Sequence, residues 1–171
     1  NYMDSEWQHS LSIQTRWLRR RLERHLMGNH LFENAKALIF AGAFFEGSEA
    51  DSWLKNGLQI LSKEIPEQVL VDGGHFELSP MYHSIILEDI LDLINLAQTW
   101  PEKISDSIVQ EWQETAGKML EWLDAFTHPD GQIAFFNDAA FGIAASPVSL
   151  RDYAAKLSVN SPRHKQGAVW H

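Results

Sequence analysis

The sequence predicts an all-α chain built of antiparallel helical hairpins, and three observations carry that prediction. Apolar residues recur at spacings of three and four over most of the 171 positions. Short Gly, Pro, Asn and Ser clusters punctuate these runs at the places where helices stop and start. Amphipathic segments also alternate with segments that are nearly all apolar, as expected when inner helices are wrapped by outer ones. A plain helix bundle fits the same pattern.

The first helix is expected from about Ser5 to Met27, where Trp7, Leu11, Leu18, Leu22 and Leu26 form a stripe uninterrupted by Gly or Pro. Arg16, Arg19, Arg20, Arg21 and Arg24 cover more than one face, so they read as a solvated surface or as the wall of a polyanion cleft. Gly28 stops this helix and Asn29 caps the next, whose body from Ala35 to Phe45 is small and apolar (Ala35, Ala37, Leu38, Ile39, Ala41, Gly42, Ala43). After the Gly47-Ser48 break, Trp53, Leu54, Leu58 and Leu61 mark a third helix over Ser48 to Ile65, closed by Pro66. Val69 to Val71 reads as a short extended piece entering a glycine turn. Ser79 then reads as an N-cap and Pro80 as the first residue of a helix to about Trp100. Ile85, Ile86, Ile90, Leu91, Leu93, Ile94 and Ala97 make that helix strongly buried, with Glu88, Asp89 and Asp92 outward, and Pro101 stops it. A fifth helix spans about Ser105 to Thr127 on Ile108, Trp112, Met119, Leu120, Trp122, Leu123 and Phe126. His128-Pro129-Asp130-Gly131 is a turn by composition. Gln132 to Gly142 lacks helical periodicity and reads as an extended segment presenting Asn137 and Asp138. A last helix covers about Pro147 to Leu157, and Ser158 to His171 has linker composition.

Composition bounds the function. The net charge of −9 argues against general affinity for nucleic acid or anionic membrane. The charge is uneven: residues 1–36 hold six of the 14 Lys and Arg but four of the 23 Asp and Glu, so an anionic ligand would be tolerated at that end. The absence of cysteine removes disulfides and thiolate metal sites. There is no apolar run near 18 residues and no signal-like amino terminus. The start Asn1-Tyr2-Met3 suggests a piece of a longer protein.

Chemistry concentrates in Asp72-Gly73-Gly74-His75-Phe76-Glu77-Leu78-Ser79-Pro80-Met81-Tyr82-His83, where ionisable side chains crowd a glycine turn and the first turn of a helix. Free N–H groups and the helix dipole there favour an ionised phenol at Tyr82 and a neutral imidazole at His83. The competing reading is that Ser-Pro caps a helix whose Tyr and His fill space beside a turn.

This block, with Asn29-His30-Leu31-Phe32-Glu33-Asn34 and Phe135-Phe136-Asn137-Asp138, resembles the helical domain of heparinase II/III-like polysaccharide lyases, a group that includes alginate lyases. The resemblance implies part of an α/α toroid over residues 1–157 with a linker-like tail over 158–171, followed in the family by a β-sandwich domain absent from this chain. It implies β-elimination on acidic, uronate-containing polysaccharides, no cofactor, no metal, and a periplasmic or secreted bacterial setting. Asn29 corresponds to the residue that binds the uronate carboxylate, Tyr82 to the catalytic tyrosine, and His83 is a further catalytic candidate. His30, Glu33, His75, Glu77, Asn137 and Asp138 are candidates for substrate binding. The family's further downstream histidine has no counterpart in a matching motif: His128, His164 and His171 stand elsewhere. The chain alone is therefore expected to lack substantial activity and to expose apolar surface, with a homodimer as one way to cover it. A non-catalytic glycan-binding or interaction module is the alternative, supported by the repulsion between a chain of −9 and a polyanion. A metal-dependent hydrolase using His75, Glu77 and His83 ranks last, because no HExxH spacing is present.

Overall fold

In the computed structural model, residues 5–26 and 28–160 are described, and they contain six α-helices with two isolated β-bridges. The chain divides into two compact units, Asn1–Ile65 and Pro66–His171.

The first unit holds α1 (Ser5–Arg19), α2 (His30–Phe44) and most of α3 (Ser48–Gln68). Glycine sets how closely α2 and α3 approach. A Cβ on Gly42 would stand 2.5 Å from the backbone nitrogen of Leu54, and one on Gly57 would stand 2.6 Å from Cγ1 of Ile39. Phe32, Ala35, Leu38, Ile39, Trp53 and Leu61 fill the core that this approach creates.

Several expectations for this unit are corrected. Helix α1 ends at Arg19 instead of Met27; Leu22 and Leu26 continue the spacing but lie in turns, and Met27 lies outside the described residues. The segment is held instead by Asn34, whose Oδ1 accepts from the Glu23 N–H at 3.0 Å and whose Nδ2 donates to the Glu23 carboxylate at 3.2 Å. The stripe on α1 is also only partly covered: Leu18 is half-buried where α1 packs on α2, but Trp7 (70%) and Leu11 are exposed, and so are Ile13 and Trp17 beside them. Helix α2 is buried over a broad side through Phe32, Ala35, Leu38, Ile39 and Gly42, with Ala37, Phe40 and Phe44 exposed. Pro66 does not end α3, because it falls in the last turn, where only one backbone hydrogen bond is lost.

The second unit is organised on α4 (Pro80–Thr99), which packs on α5 (Asp106–Ala125) and α6 (Pro147–Lys156). Ile86, Leu87, Ile90, Leu91, Leu93 and Ile94 are fully buried along α4. Asp89, expected outward, is buried as well, as the helix is enclosed on more than one side. Asp92 stays half-exposed and accepts from the Tyr153 hydroxyl of α6 at 2.8 Å. The end of α6 is a Schellman motif: Ser158 adopts φ 60, its N–H donates to Ala155, and the N–H of buried Val159 donates to Ala154 at 2.9 Å. The linker-like composition therefore begins inside a helix stop, and residues 161–171 of that tail lie outside the described residues.

The close α2–α3 approach gives a direct test. Gly42→Ala should lower stability by about 1–3 kcal/mol through overpacking against the Leu54 backbone, while Ala37→Ser on the exposed face should change it by less than about 0.5 kcal/mol. Urea unfolding of both variants measures this, and equal midpoints would contradict the packing.

Candidate functional site

In the second unit the glycine block forms a tight turn between α3 and α4. Val69 bridges His75, the Leu70 N–H donates to Gly74 at 2.8 Å, and the Phe76 N–H donates to Gln68 at 2.8 Å. Asp72 Oδ1 accepts from the Gly74 N–H at 3.0 Å. The two glycines are required for different reasons. Gly73 has φ +88 and lies against the Lys118 backbone of α5, while a Cβ on Gly74 would stand 2.6 Å from the Trp122 indole nitrogen. The turn is thus seated directly on α5.

The histidines lock it there. His83 is fully buried in the first turn of α4. Its Nδ1 accepts from the His75 backbone N–H at 3.3 Å, which leaves the proton on Nε2, and Nε2–H donates to the Met119 carbonyl at 2.9 Å. Its ring stacks on Trp122 with centroids 4.4 Å apart. Burial pushes His83 down to about 3, with the Met119 carbonyl and Asp72 opposing and His75 adding to the depression. His75 is also fully buried and is pushed down to about 4 by burial. Its Nε2 lies 3.3 Å from Gln68 Oε1, and its Nδ1 has no hydrogen-bond partner among the described residues.

Tyr82, one residue before His83, differs from both. Its backbone N–H points to Ser79 Oγ at 3.5 Å, as the capping pattern requires. Its side chain is half-buried, and the phenol hydroxyl makes no hydrogen bond to any described residue. Glu77 is half-buried in the segment that leads into Ser79.

The third sequence block reaches the same turn. Trp122 packs on Phe126 at 4.2 Å and Phe126 on Phe136 at 5.6 Å, extending the aromatic column from His83. Asn137 and Asp138 follow in left-handed conformation (φ 49 and 60), and Asn137 Nδ2 donates to the Leu78 carbonyl at 3.2 Å. Asn137 thus ties the loop to the turn, while Asp138 is exposed.

The first block lies in the other unit. Asn29 occupies the N-cap position of α2, but at φ −75, ψ −6 its side chain makes no cap hydrogen bond. This corrects the expected capping role: an αR backbone there aims the amide away from the helix N–H groups. The Asn29 amide has no hydrogen-bond partner among the described residues, and the residue is half-buried. His30 is exposed, with Nδ1 3.5 Å from the Glu23 carboxylate, and Glu33 is half-buried in the first turn. Among the described residues no three His, Cys, Asp or Glu side chains gather as metal ligands, and both ring nitrogens of His83 are engaged.

Sequence reading did not single out Gln68, Met119 or Trp122 as supports of the turn. Gly-Gly seated beside a buried helix was the available signal, since two adjacent glycines often mark close approach to another element.

Comparison with known proteins shows the family and the fold class. The family described as Heparinase II/III N-terminus matches residues 5–164. A heparin-sulfate lyase of Bacteroides stercoris is 38% identical over 113 residues, 66% of this chain and 17% of that protein. One of Bacteroides thetaiotaomicron is 33% identical over 120 residues, with the same shares. A solved heparinase III structure superposes with a TM-score of 0.70 at 28% identity, covering 90% of this chain and 24% of the other. The chain thus spans about a sixth of the length of the curated relatives it matches. These likenesses bear out the all-α, toroid-type fold class.

The buried histidines make stability pH-dependent with a defined sign. Their folded values lie below the ordinary 6.5, so the unfolded state binds more protons as pH falls from about 6.5, and stability present above that pH is lost on the way down to about 4 and 3. Each unit of depression is worth about 1.4 kcal/mol, so the loss should be on the order of several kcal/mol. Thermal melts between pH 7 and 4 should show it. His75→Gln, which cannot titrate, should flatten the profile; an unchanged slope would remove His75 from the linkage.

Proposed function

Because the chain belongs to the heparinase II/III family by its N-terminal domain, we propose that it carries the proton donor and the carboxylate clamp of a polysaccharide lyase acting on uronate-containing glycans by β-elimination. The substrate class is supported by relatives that are heparin-sulfate lyases. The observation that carries the reading is the half-buried Tyr82 phenol, without a side-chain partner among the described residues, held at a helix start by a fully engaged His83.

The reaction makes three demands on the site. The C6 carboxylate of the uronate is neutralised so that the C5 proton becomes removable. A base takes that proton, the electron pair forms the C4–C5 double bond, and the C4–O bond breaks. The departing oxygen then takes a proton, giving a 4,5-unsaturated uronate and a new hydroxyl group. In this reading the Asn29 amide donates to the carboxylate, most strongly as negative charge builds on it. Tyr82 gives its proton to the leaving oxygen and, as phenolate, is able to accept the C5 proton. His83 is a positioning residue: its depressed basicity and occupied nitrogens suit it to hold the Tyr82 turn instead of exchanging protons. His30, Glu33, His75, Glu77, Asn137 and Asp138 are assigned to the surroundings of the substrate, with buried His75 supporting the turn from behind.

The remainder of such a protein, including a β-sandwich domain, would supply the other wall of the cleft and the further histidine. The exposed Trp7, Ile13 and Trp17 of α1 support a covering surface from that remainder or from a second copy. The relatives are bacterial, and a periplasmic or secreted setting is part of the same proposal.

In the intact protein, Tyr82→Phe should lower kcat by at least about 100-fold while the melting temperature stays near the parent value. Formation of the unsaturated uronate from heparan sulfate, followed by ultraviolet absorbance, measures this; near-parent activity would remove Tyr82 from the reaction, and no product from the parent would favour the binding-module alternative. Asn29→Ala should lower kcat more than it raises KM, because its hydrogen bond strengthens in the transition state. As Asn29 makes no cap bond, stability should change by less than about 0.5 kcal/mol. Asn29→Asp should be at least as inactive, and an active Asp variant would contradict the clamp.

A further inference from the structure

We propose that the first unit holds an anion-binding pocket for a sulfated or carboxylated oligosaccharide, built by Arg19, Arg20, Arg24 and Lys63 and separate from the Asn29 and Tyr82 side chains. Only the ligand class rests on the lyase reading; the pocket rests on its own geometry.

The pocket follows from the early stop of α1. Arg19 is the last residue of that helix, and Arg20 to Arg24 turn back over α3. On α3, Asn56, Gln59, Ile60 and Lys63 fall at spacings of three and four, so one helix face presents two amides and an ammonium group to the arginines. Together these segments line a half-open cleft of about 410 Å3, a volume within the usual range for small-molecule sites. Leu31 and Ile60 add apolar wall, suited to the C–H faces of a sugar ring.

The charge balance there runs against that of the whole chain. Four cationic side chains line the pocket against a single carboxylate, Glu64, in a protein of net charge −9. Arg19, Arg20, Arg24 and Lys63 make no ion pair with any described residue, although the protein carries 23 Asp and Glu. Glu49 is the other acid near Arg19 and Arg20, and its carboxylate is already held by Arg16 at 2.7–3.0 Å. A second cavity of about 300 Å3, lined by Arg16, Glu49 and Trp53, shares Arg19 and Arg20 with the first. Guanidinium groups that outnumber the carboxylates beside them repel one another, and a bound anion relieves that repulsion through paired N–H donors matching the oxygens of sulfate or carboxylate. Amide donors beside an apolar wall favour a sugar carrying such groups over a bare ion. A nucleic acid would require a longer basic track on a less acidic protein.

Titration of the isotope-labelled chain with a heparin-derived tetrasaccharide, monitored by NMR, tests this. The side-chain amide signals of Asn56 and Gln59 should shift saturably, and the double variant Arg20→Glu, Lys63→Glu should weaken binding at least tenfold. If that variant melts below the parent, Arg20→Gln, Lys63→Gln serves in its place. Tyr82→Phe should leave these shifts unchanged, so that failure of the lyase mechanism and failure of the pocket are read separately. The proposal is overturned if the amide signals do not move, if the charge variant binds as the parent does, or if sodium sulfate or a single-stranded oligonucleotide binds there as tightly as the tetrasaccharide.

Discussion

The second unit depends on one buried imidazole. His83 accepts from the backbone of the glycine turn and donates to the backbone of α5, so a single ring joins three segments through groups that would otherwise be unpaired in the interior. The arrangement permits only one tautomer, because an N–H donor faces Nδ1 and a carbonyl faces Nε2. It also requires a neutral ring: an imidazolium would place a second proton against the His75 N–H. Burial supplies that neutrality, and the stack on Trp122 supplies the contact surface. Losing either hydrogen bond would leave a buried polar group unsatisfied, at a cost of about 1–3 kcal/mol.

From this constraint the display of Tyr82 follows. Adjacent residues on a helix point about 100° apart, so fixing His83 inward turns the preceding side chain toward the helix edge. Ser79 fixes where the helix starts, and Gly73 and Gly74 let the turn sit against α5 closely enough for His83 to reach across. Polar groups around the turn are largely consumed in holding it, whereas the Tyr82 hydroxyl in the second unit and the Asn29 amide in the first make no bond among the described residues. Polar groups left unsatisfied by their own fold are the ones a substrate can engage without first breaking internal bonds.

Much of the fold was legible in the sequence. Ser79-Pro80 located the start of α4, and the apolar runs located α2 to α6 within a few residues. The end of α1 was not legible, since Leu22 and Leu26 continue a spacing of four although the backbone has turned, and the bonds that hold it there come from Asn34 in another element. Asp89 and His83 illustrate a second limit. On a helix apolar around most of its circumference, periodicity does not say whether a polar residue faces water or the interior. For the candidate site, the sequence drew attention to the glycine block, but the burial of His75 and His83 was decided by α5 and by the aromatic column beyond it. Asn29 shows the converse: composition suggested a cap, and backbone dihedrals at that residue removed it.

The central claim, that a permanently neutral His83 clamps the turn and thereby presents Tyr82, is tested most directly by long-range 15N–1H NMR of the His83 ring. The account predicts one Nε2-protonated tautomer, in slow exchange with solvent and unchanged from pH 8 to about 5. A ring that titrates near 6.5, or that averages between tautomers, would contradict it.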